Sequence, residues 1–356
     1  MNMPLKVGIA GYGVVGKRRR HFIDLHPNLK TVAVSDIRFE GDGVYDDGVQ
    51  YFDSYAKLME QDLDILFVCL SNDVAADATA LGLKRGYHVF CEKPPGCTLL
   101  DIARVVATAK IRPHLKLKYG FNHRYHDSVR DALAIIRSGE FGKIINIRGV
   151  YGKSGIISFG QDDWRSKRAI AGGGILLDQG IHMVDLIRLF VDDDFPEIRS
   201  FVSNTHWGHD VEDNAYALMR SSTGVVAMLH STATQWRHRF KLEVLLQRGA
   251  VNLSGILSGS KSYGAETMTV VWAENDGRGD PREQTTRYNN DPSWANEIAE
   301  FAEAVLRDKP MTYGTAEDAL RTMHLVYRIY CADPTWKAQW NLSDVIPVVT
   351  EEDIGE

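Results

Sequence analysis

The chain has 356 residues, more than one hydrophobic core usually organises, so two domains are expected. Hydrophobic residues make up 44% and charged residues 25%, a balance that excludes a disordered or low-complexity chain. The formal net charge of −6 offers no electrostatic footprint for nucleic acid.

Four cysteines, Cys69, Cys91, Cys97 and Cys331, are too few and too scattered for a disulfide framework or a zinc site. Met1 to Gly8 runs directly into a strand pattern without a signal-peptide core. No apolar run approaches the roughly 20 residues of a membrane span. A cytoplasmic protein with no membrane partner is the expectation.

Leu5 to Ala10 reads as a buried strand leading into GYGVVG: Gly11, Tyr12, Gly13, Val14, Val15 and Gly16. A helix is expected from Val14 to about His26, then a strand from Thr31 to Ser35 that ends at Asp36. This is the layout of a dinucleotide-binding βαβ unit. Gly11 permits the tight turn, Gly13 lets the backbone approach a pyrophosphate, and Gly16 lets the helix pack on the strand. Asp36 can accept hydrogen bonds from ribose hydroxyls, which favours NAD. Arg38 nearby keeps NADP as the alternative. Lys17 to Arg20, four cations in succession, read as a solvated helix face.

The alternation continues with a strand at Leu63–Leu70, a helix at Ala75–Arg85 and a strand at Tyr87–Cys91. A helix at Ile102–Lys110 and a strand at Lys116–Gly120 follow. Such alternation gives an α/β, doubly wound parallel sheet of Rossmann type, which binds ligands at the carboxyl ends of its strands. The segment CEKPPG lies at one of those ends.

From Gly139 the pattern changes to closely spaced strands: Ile144–Tyr151, Arg199–Trp207, Asn214–Ser221, Val225–Gln235, Phe240–Gln247 and Thr267–Ala273. An α+β domain with a large open, mostly antiparallel sheet is expected. Inserted among them, Gly172 to Gly174 opens a helix with Asp178 and His182 one turn apart on one face. A histidine there can act as general base near neutral pH, and the plain alternative is a buried histidine satisfied by an aspartate. His206 and His209 sit where a strand or turn is expected, and no metal is assigned to them. Trp294–Arg307 and Ala316–Tyr330 read as amphipathic core helices. The expected division is 1–121 for nucleotide binding and 122–356 for substrate binding and assembly.

Together GYGVVG, Asp36, Glu92-Lys93-Pro94 and GGGILLDQGIH resemble the glucose–fructose oxidoreductase and inositol dehydrogenase (Gfo/Idh/MocA) family over nearly the whole chain. One departure is Ala75, a few residues after the Leu63–Leu70 strand, where many members carry a histidine. The resemblance implies an NAD(P)-dependent sugar oxidoreductase, with a cis peptide at Lys93-Pro94 and dimers or tetramers as the assembly. It assigns Lys93, Asp178 and His182 to catalysis and leaves Asp185 structural. Ser71, Asn72, Glu92, Lys93 and Pro94 join the glycine turn, Asp36 and Arg38 at the cofactor. Asn122, Arg124, Tyr125, Trp164 and Arg165 join the catalytic set at the substrate. A nucleotide sugar such as UDP-N-acetylglucosamine, oxidised at carbon 3, is the expected substrate. Three alternatives stand: a free-sugar or inositol dehydrogenase, an NAD-dependent glycosidase, and a non-catalytic dinucleotide sensor.

Overall fold

The computed structural model describes residues 3–155, 164–259, 263–273 and 280–355. Internal contacts divide the chain into two units. The first holds Met1–Asn122, Trp294–Met323 and Val345–Glu356; the second holds His123–Ser293 and His324–Asp344. The chain thus returns to the first unit at Trp294, a crossing that no local sequence period announces.

In the first unit short apolar runs form the strands β1 (Leu5–Ala10), β2 (Leu29–Ser35), β3 (Gly43–Val44), β4 (Gln50–Phe52), β5 (Ile65–Val68), β6 (His88–Glu92) and β7 (Leu117–Gly120). Their order is β3-β4-β2-β1-β5-β6-β7, with every pair parallel except β3–β4. Crossovers run through α1 (Val14–Asp24), α2 (Tyr55–Leu58), α3 (Asn72–Lys84) and α4 (Leu99–Lys110). Strand order reverses at β1, so the crevice beyond the carboxyl ends of β1 and β5 is the switch point where such sheets take ligands. The C-terminal segment adds helical residues to this core. Ile298 and Phe301 pack with Val7, Ile9, Phe67 and Phe90, and Phe301 sets its ring edge-on to both of the stacked rings of Phe67 and Phe90.

One expectation for this unit is corrected. Lys17 to Arg20 do not form a solvated face: Arg19 is 0% exposed. Its position on α1 turns it inward, toward β6, where carboxylates meet it.

In the second unit α5 (Asp127–Arg137) precedes β8 (Ile144–Gly152). After α6 (Arg168–Ala171), a π-helical turn at Leu176–Gly180 runs into α7 (Ile181–Val191). The strands β9 (Glu197–Ser203), β10 (Asn214–Arg220), β11 (Val226–Thr232), β12 (Arg239–Leu246), β13 (Gly249–Ser254), β14 (Glu266–Trp272) and β15 (Glu283–Tyr288) follow. With β8 they make one eight-stranded sheet, ordered β15-β14-β13-β12-β8-β11-β10-β9. Among the described residues only β8–β11 is a parallel pair.

Alternation buries Phe240, Leu242, Val244 and Leu246 of β12 on one face. Helix α7 covers that face closely: a Cβ at Gly149 of β8 would lie 2.6 Å from the Met183 sulfur. The opposite face carries Phe201, Tyr216, Leu218 and Met228, of which Phe201 is 77% exposed. Strand register sets Phe201 opposite Tyr216, and Tyr216 opposite His230, on whose ring it stacks at 4.0 Å. The chain ends with α8 (Ser293–Leu306), α9 (Ala316–Cys331), α10 (Pro334–Gln339) and α11 (Glu351–Ile354). Among the described residues no helix is long and apolar enough to cross a membrane.

Candidate active site

The candidate residues of the first unit are shaped chiefly by backbone. Gly11 has φ +91°, and a Cβ on it would lie 2.3 Å from the Cys69 carbonyl oxygen after β5. A Cβ on Gly16 would lie 2.0 Å from the Gly11 carbonyl oxygen, so only glycine lets α1 sit this close to the turn that starts it. Gly13 differs: around its missing Cβ the nearest atom is Nη2 of Arg38 at 3.7 Å. That space beside the α1 N-terminus suits a phosphate. Val14 is exposed at the first helical position, whereas the Tyr12 side chain turns into the core and accepts from Arg20 Nη1 at 2.8 Å. Tyr12 and Val15 therefore offer a ligand chiefly their backbone.

Asp36 follows β2 and is nearly buried. Arg38 grips it with two parallel hydrogen bonds of 2.7 Å. Burial opposes ionisation of this carboxyl, but the Arg38 bonds outweigh it and hold the group below its ordinary range. Beyond β5, the Ser71 hydroxyl donates to Asp73 at 2.6 Å and Asn72 begins α3, nearly buried.

The Glu92-Lys93-Pro94 turn ends β6 with a cis Lys93-Pro94 peptide. A capping box closes the turn: Thr98 Oγ1 accepts from Asp101 N–H at 3.2 Å, and Asp101 Oδ2 accepts from Thr98 N–H at 2.8 Å. The Glu92 carboxylate points to Arg19, whose Nε donates to Oε1 at 2.6 Å. Asn122, buried, is the last residue of this unit's N-terminal segment.

The candidate residues of the second unit meet through their side chains. Asp178 lies in the π-helical turn and His182 in the first turn of α7 that follows it. Such π-helical turns concentrate at functional sites because they re-aim side chains. His182 is buried, and the His123 ring stacks on it at 3.8 Å and 14°. His123 Nε2 bonds the Tyr151 hydroxyl at 3.0 Å. Burial pushes the Tyr151 hydroxyl well above its ordinary range, so it remains protonated beside the pair.

Asp178 has Lys153 Nζ at 3.4 Å and Arg165 Nε at 3.8 Å. Arg165 lies over the Trp164 ring at 4.4 Å, so the structure brings Trp164, Arg165 and Asp178 together. Gln179, next in sequence, accepts from the Tyr263 hydroxyl at 2.6 Å. Arg124 is engaged by Asp185 through bonds of 2.7 and 2.6 Å, both residues buried. That pair anchors the turn bearing Tyr125, itself buried.

Sequence reasoning missed Lys153 and Glu212, which have no motif around them, and gave His123 no separate role within the Asn122–Tyr125 segment; each meets the helix that carries Asp178 and His182. Glu212, wholly buried, accepts from Gly174 N–H at 2.7 Å, Leu176 N–H at 2.9 Å and the Tyr330 hydroxyl at 2.6 Å. Burial raises its pKa against these bonds. The three-glycine run is what lets it approach: a Cβ on Gly174 would lie 2.1 Å from the Glu212 carbonyl oxygen.

Two family descriptions match this geometry. Residues 5–120 match the oxidoreductase family with an NAD-binding Rossmann fold, and residues 129–252 match the C-terminal domain of the same GFO/IDH/MocA family. The chain belongs to the Gfo/Idh/MocA family. The 1,5-anhydro-D-fructose reductase of Ensifer adhaerens is 30% identical over 184 residues, 49% of this chain. The chain spans about half the length of that relative, 52%. Inositol 2-dehydrogenase of Salmonella typhimurium is 22% identical over 277 residues, 76% of this chain and 80% of that one. In fold, the UDP-N-acetylglucosamine 3-dehydrogenase of Acidithiobacillus ferrooxidans superimposes with a TM-score of 0.75 at 17% identity, covering 94% of this chain and 99% of that chain. The Rossmann and mostly antiparallel sheets expected from the sequence are those of this family.

Proposed function

We propose that this member is an NAD-dependent dehydrogenase or ketoreductase of a sugar or polyol, with a nucleotide sugar as the finer reading of its substrate. The observation that carries the proposal is His182, buried, stacked on the His123 ring and four residues beyond Asp178, in a chain that also carries the open Gly13 turn and Asp36. The inositol 2-dehydrogenase relative supports the polyol class, and the similarity to the UDP-N-acetylglucosamine enzyme supports the fold in which a nucleotide sugar is read.

The residues present fit a dinucleotide: the Gly13 space suits phosphate, and the ionised Asp36 suits an adenosine ribose. Bound there, the nicotinamide supplies a hydride acceptor or donor. In the oxidation direction His182 takes the proton of the reacting hydroxyl on a ring nitrogen. Lys93 donates a hydrogen bond to that oxygen and stabilises it as it becomes negative. Asp178, with Lys153 and Arg165 beside it, accepts from a neighbouring hydroxyl. The Asp36–Arg38 pair favours NAD, since a 2′-phosphate would meet the Asp36 charge. We also infer a homodimer or homotetramer, because Phe201, Tyr216, Leu218 and Met228 form a contiguous apolar sheet face. Leu218→Glu should lower the assembly state in sedimentation, and an unchanged mass would count against this face.

Thermal melting with each dinucleotide, then with UDP-sugars, free hexoses and inositols, tests the reading. A ligand at about 100 times its dissociation constant adds roughly 2.7 kcal/mol and raises the melt. NADH should shift it more than NADPH, and one sugar class should shift it further. A melt indifferent to both dinucleotides would refute the proposal.

A further inference from the structure

Arg19 has no part in the glycine motif, yet it is the largest of the fully buried side chains. Its guanidinium lies between two aromatic rings, 4.4 Å from the Phe90 centroid and 4.3 Å from that of Trp294. Its Nε donates to Glu92 at 2.6 Å. Nη2 approaches Glu297 of α8 at 2.8 Å, close but off the hydrogen-bond axis. Lys118 of β7, equally buried, gives its Nζ to the Tyr313 carbonyl at 2.6 Å and to Glu300 at 3.5 Å. A charge network therefore occupies the end of β6 and binds α1, β6 and α8 to one another.

Such a network is a poor way to gain stability. Apolar residues of similar volume fill a core as well or better, whereas each buried ion carries a desolvation cost. What it confers is direction. Glu92 immediately precedes Lys93, so the anchored residue adjoins the turn that aims the lysine. Arg19 also stands on α1, the helix whose N-terminus opens at Gly13.

We propose that Arg19 is a positioning residue for Lys93, fixing the Glu92-Lys93-Pro94 turn to the same helix that receives the dinucleotide phosphates. Glu297 supports it from the other side. This deepens the proposed function and rests on the role assigned there to Lys93. Arg19 touches no substrate; it acts through Glu92.

Arg19→Met, Arg19→Lys and Lys93→Ala, each in the full-length protein, test it with the sugar found by melting. Steady-state rates and NADH affinity by fluorescence are measured together. Arg19→Met should lower kcat about tenfold or more while KM and the NADH dissociation constant stay within about threefold, since misplacement of a catalytic group acts on the chemical step. Arg19→Lys, which keeps a charge, should recover part of the rate, and it serves as the test if the Met variant does not fold. A kcat within about twofold of wild type, or equal losses in rate, NADH affinity and melting temperature, would overturn the positioning role. Substantial turnover by Lys93→Ala would instead overturn the underlying mechanism, whatever Arg19 does.

Discussion

The chain starts two helices from glycine-rich turns, Gly11–Gly16 at α1 and Gly172–Gly174 before the π-helical turn that leads into α7. In the first, glycine lets backbone meet backbone and leaves the volume beside Gly13 empty of protein atoms to 3.7 Å. In the second, the space is taken. A Cβ on Gly173 would lie 2.4 Å from the Tyr330 hydroxyl, and one on Gly174 2.1 Å from the Glu212 carbonyl oxygen. One turn is shaped to receive something from outside the chain. The other is shaped to receive the chain's own Glu212 and Tyr330, so that the helix it starts points His182 and Asp178 in a fixed direction. The same residue type thus serves ligand access in one unit and precision of side-chain placement in the other.

A crossed pair of substitutions can break that contrast. Gly16→Ala forces α1 away from the turn that starts it, because the added Cβ falls 2.0 Å from a carbonyl oxygen. Overpacking of this kind costs about 1–3 kcal/mol, and the NADH-induced rise in melting temperature should disappear with it. Gly174→Ala carries a similar steric cost but should leave that rise in place. Its effect should fall on kcat, by about a hundredfold, because a displacement near 1 Å in a catalytic group costs that much. Melting and rate measurements on the two variants check this. If Gly174→Ala weakens NADH binding as strongly as it lowers kcat, the two glycine turns are not functionally distinct.

The contrast also explains what was legible in the sequence. The glycine spacing, Asp36 and the alternating apolar runs are local, so the Rossmann sheet could be read from them. The open antiparallel sheet was legible from closely spaced strands, but β13 and β15 were not. β13 begins directly after the Arg248-Gly249 turn, and β15 (EQTTRY) is polar throughout, as suits an exposed edge. Helix α5, which buries Val129, Ala132 and Leu133, was not read from the sequence either. What sequence could not show is pairing across distance. Glu212 meets Gly174 across 38 residues and Tyr330 across 118, and Arg19 meets Glu92 across 73. No period marks such partners, and a run of four cations on a helix reads as solvated until a carboxylate is found opposite one of them. Asp178 and His182 could be named from their spacing and His123 lay within a segment already singled out, whereas Lys153 could be recognised only once the chain had folded around it.

The Arg19 network yields the smallest of the expected effects, one that separates its stability from its function. Burial pushes the Glu297 carboxyl from 4.5 up to about 7, against the pull of Arg19 and Lys118 and with the repulsion of Glu92. The folded state therefore holds a proton at this site in a range where the unfolded chain has released it. Stability from this group is full below the unfolded value near 4.5 and is lost as pH rises through about 7. Glu297→Gln keeps the shape and removes the titration. Denaturant unfolding at several pH values from about 4.5 to about 7.5 should show wild-type stability falling with a component that the variant lacks. The groups facing Glu297 carry opposing charges, so the variant loses a partner of Arg19 while shedding an acid that burial already disfavours, and its stability near neutral pH should change little. Parallel pH curves for the two proteins would place the titration elsewhere. A flattened curve with kcat reduced would show Glu297 holding Arg19 in direction more than in energy.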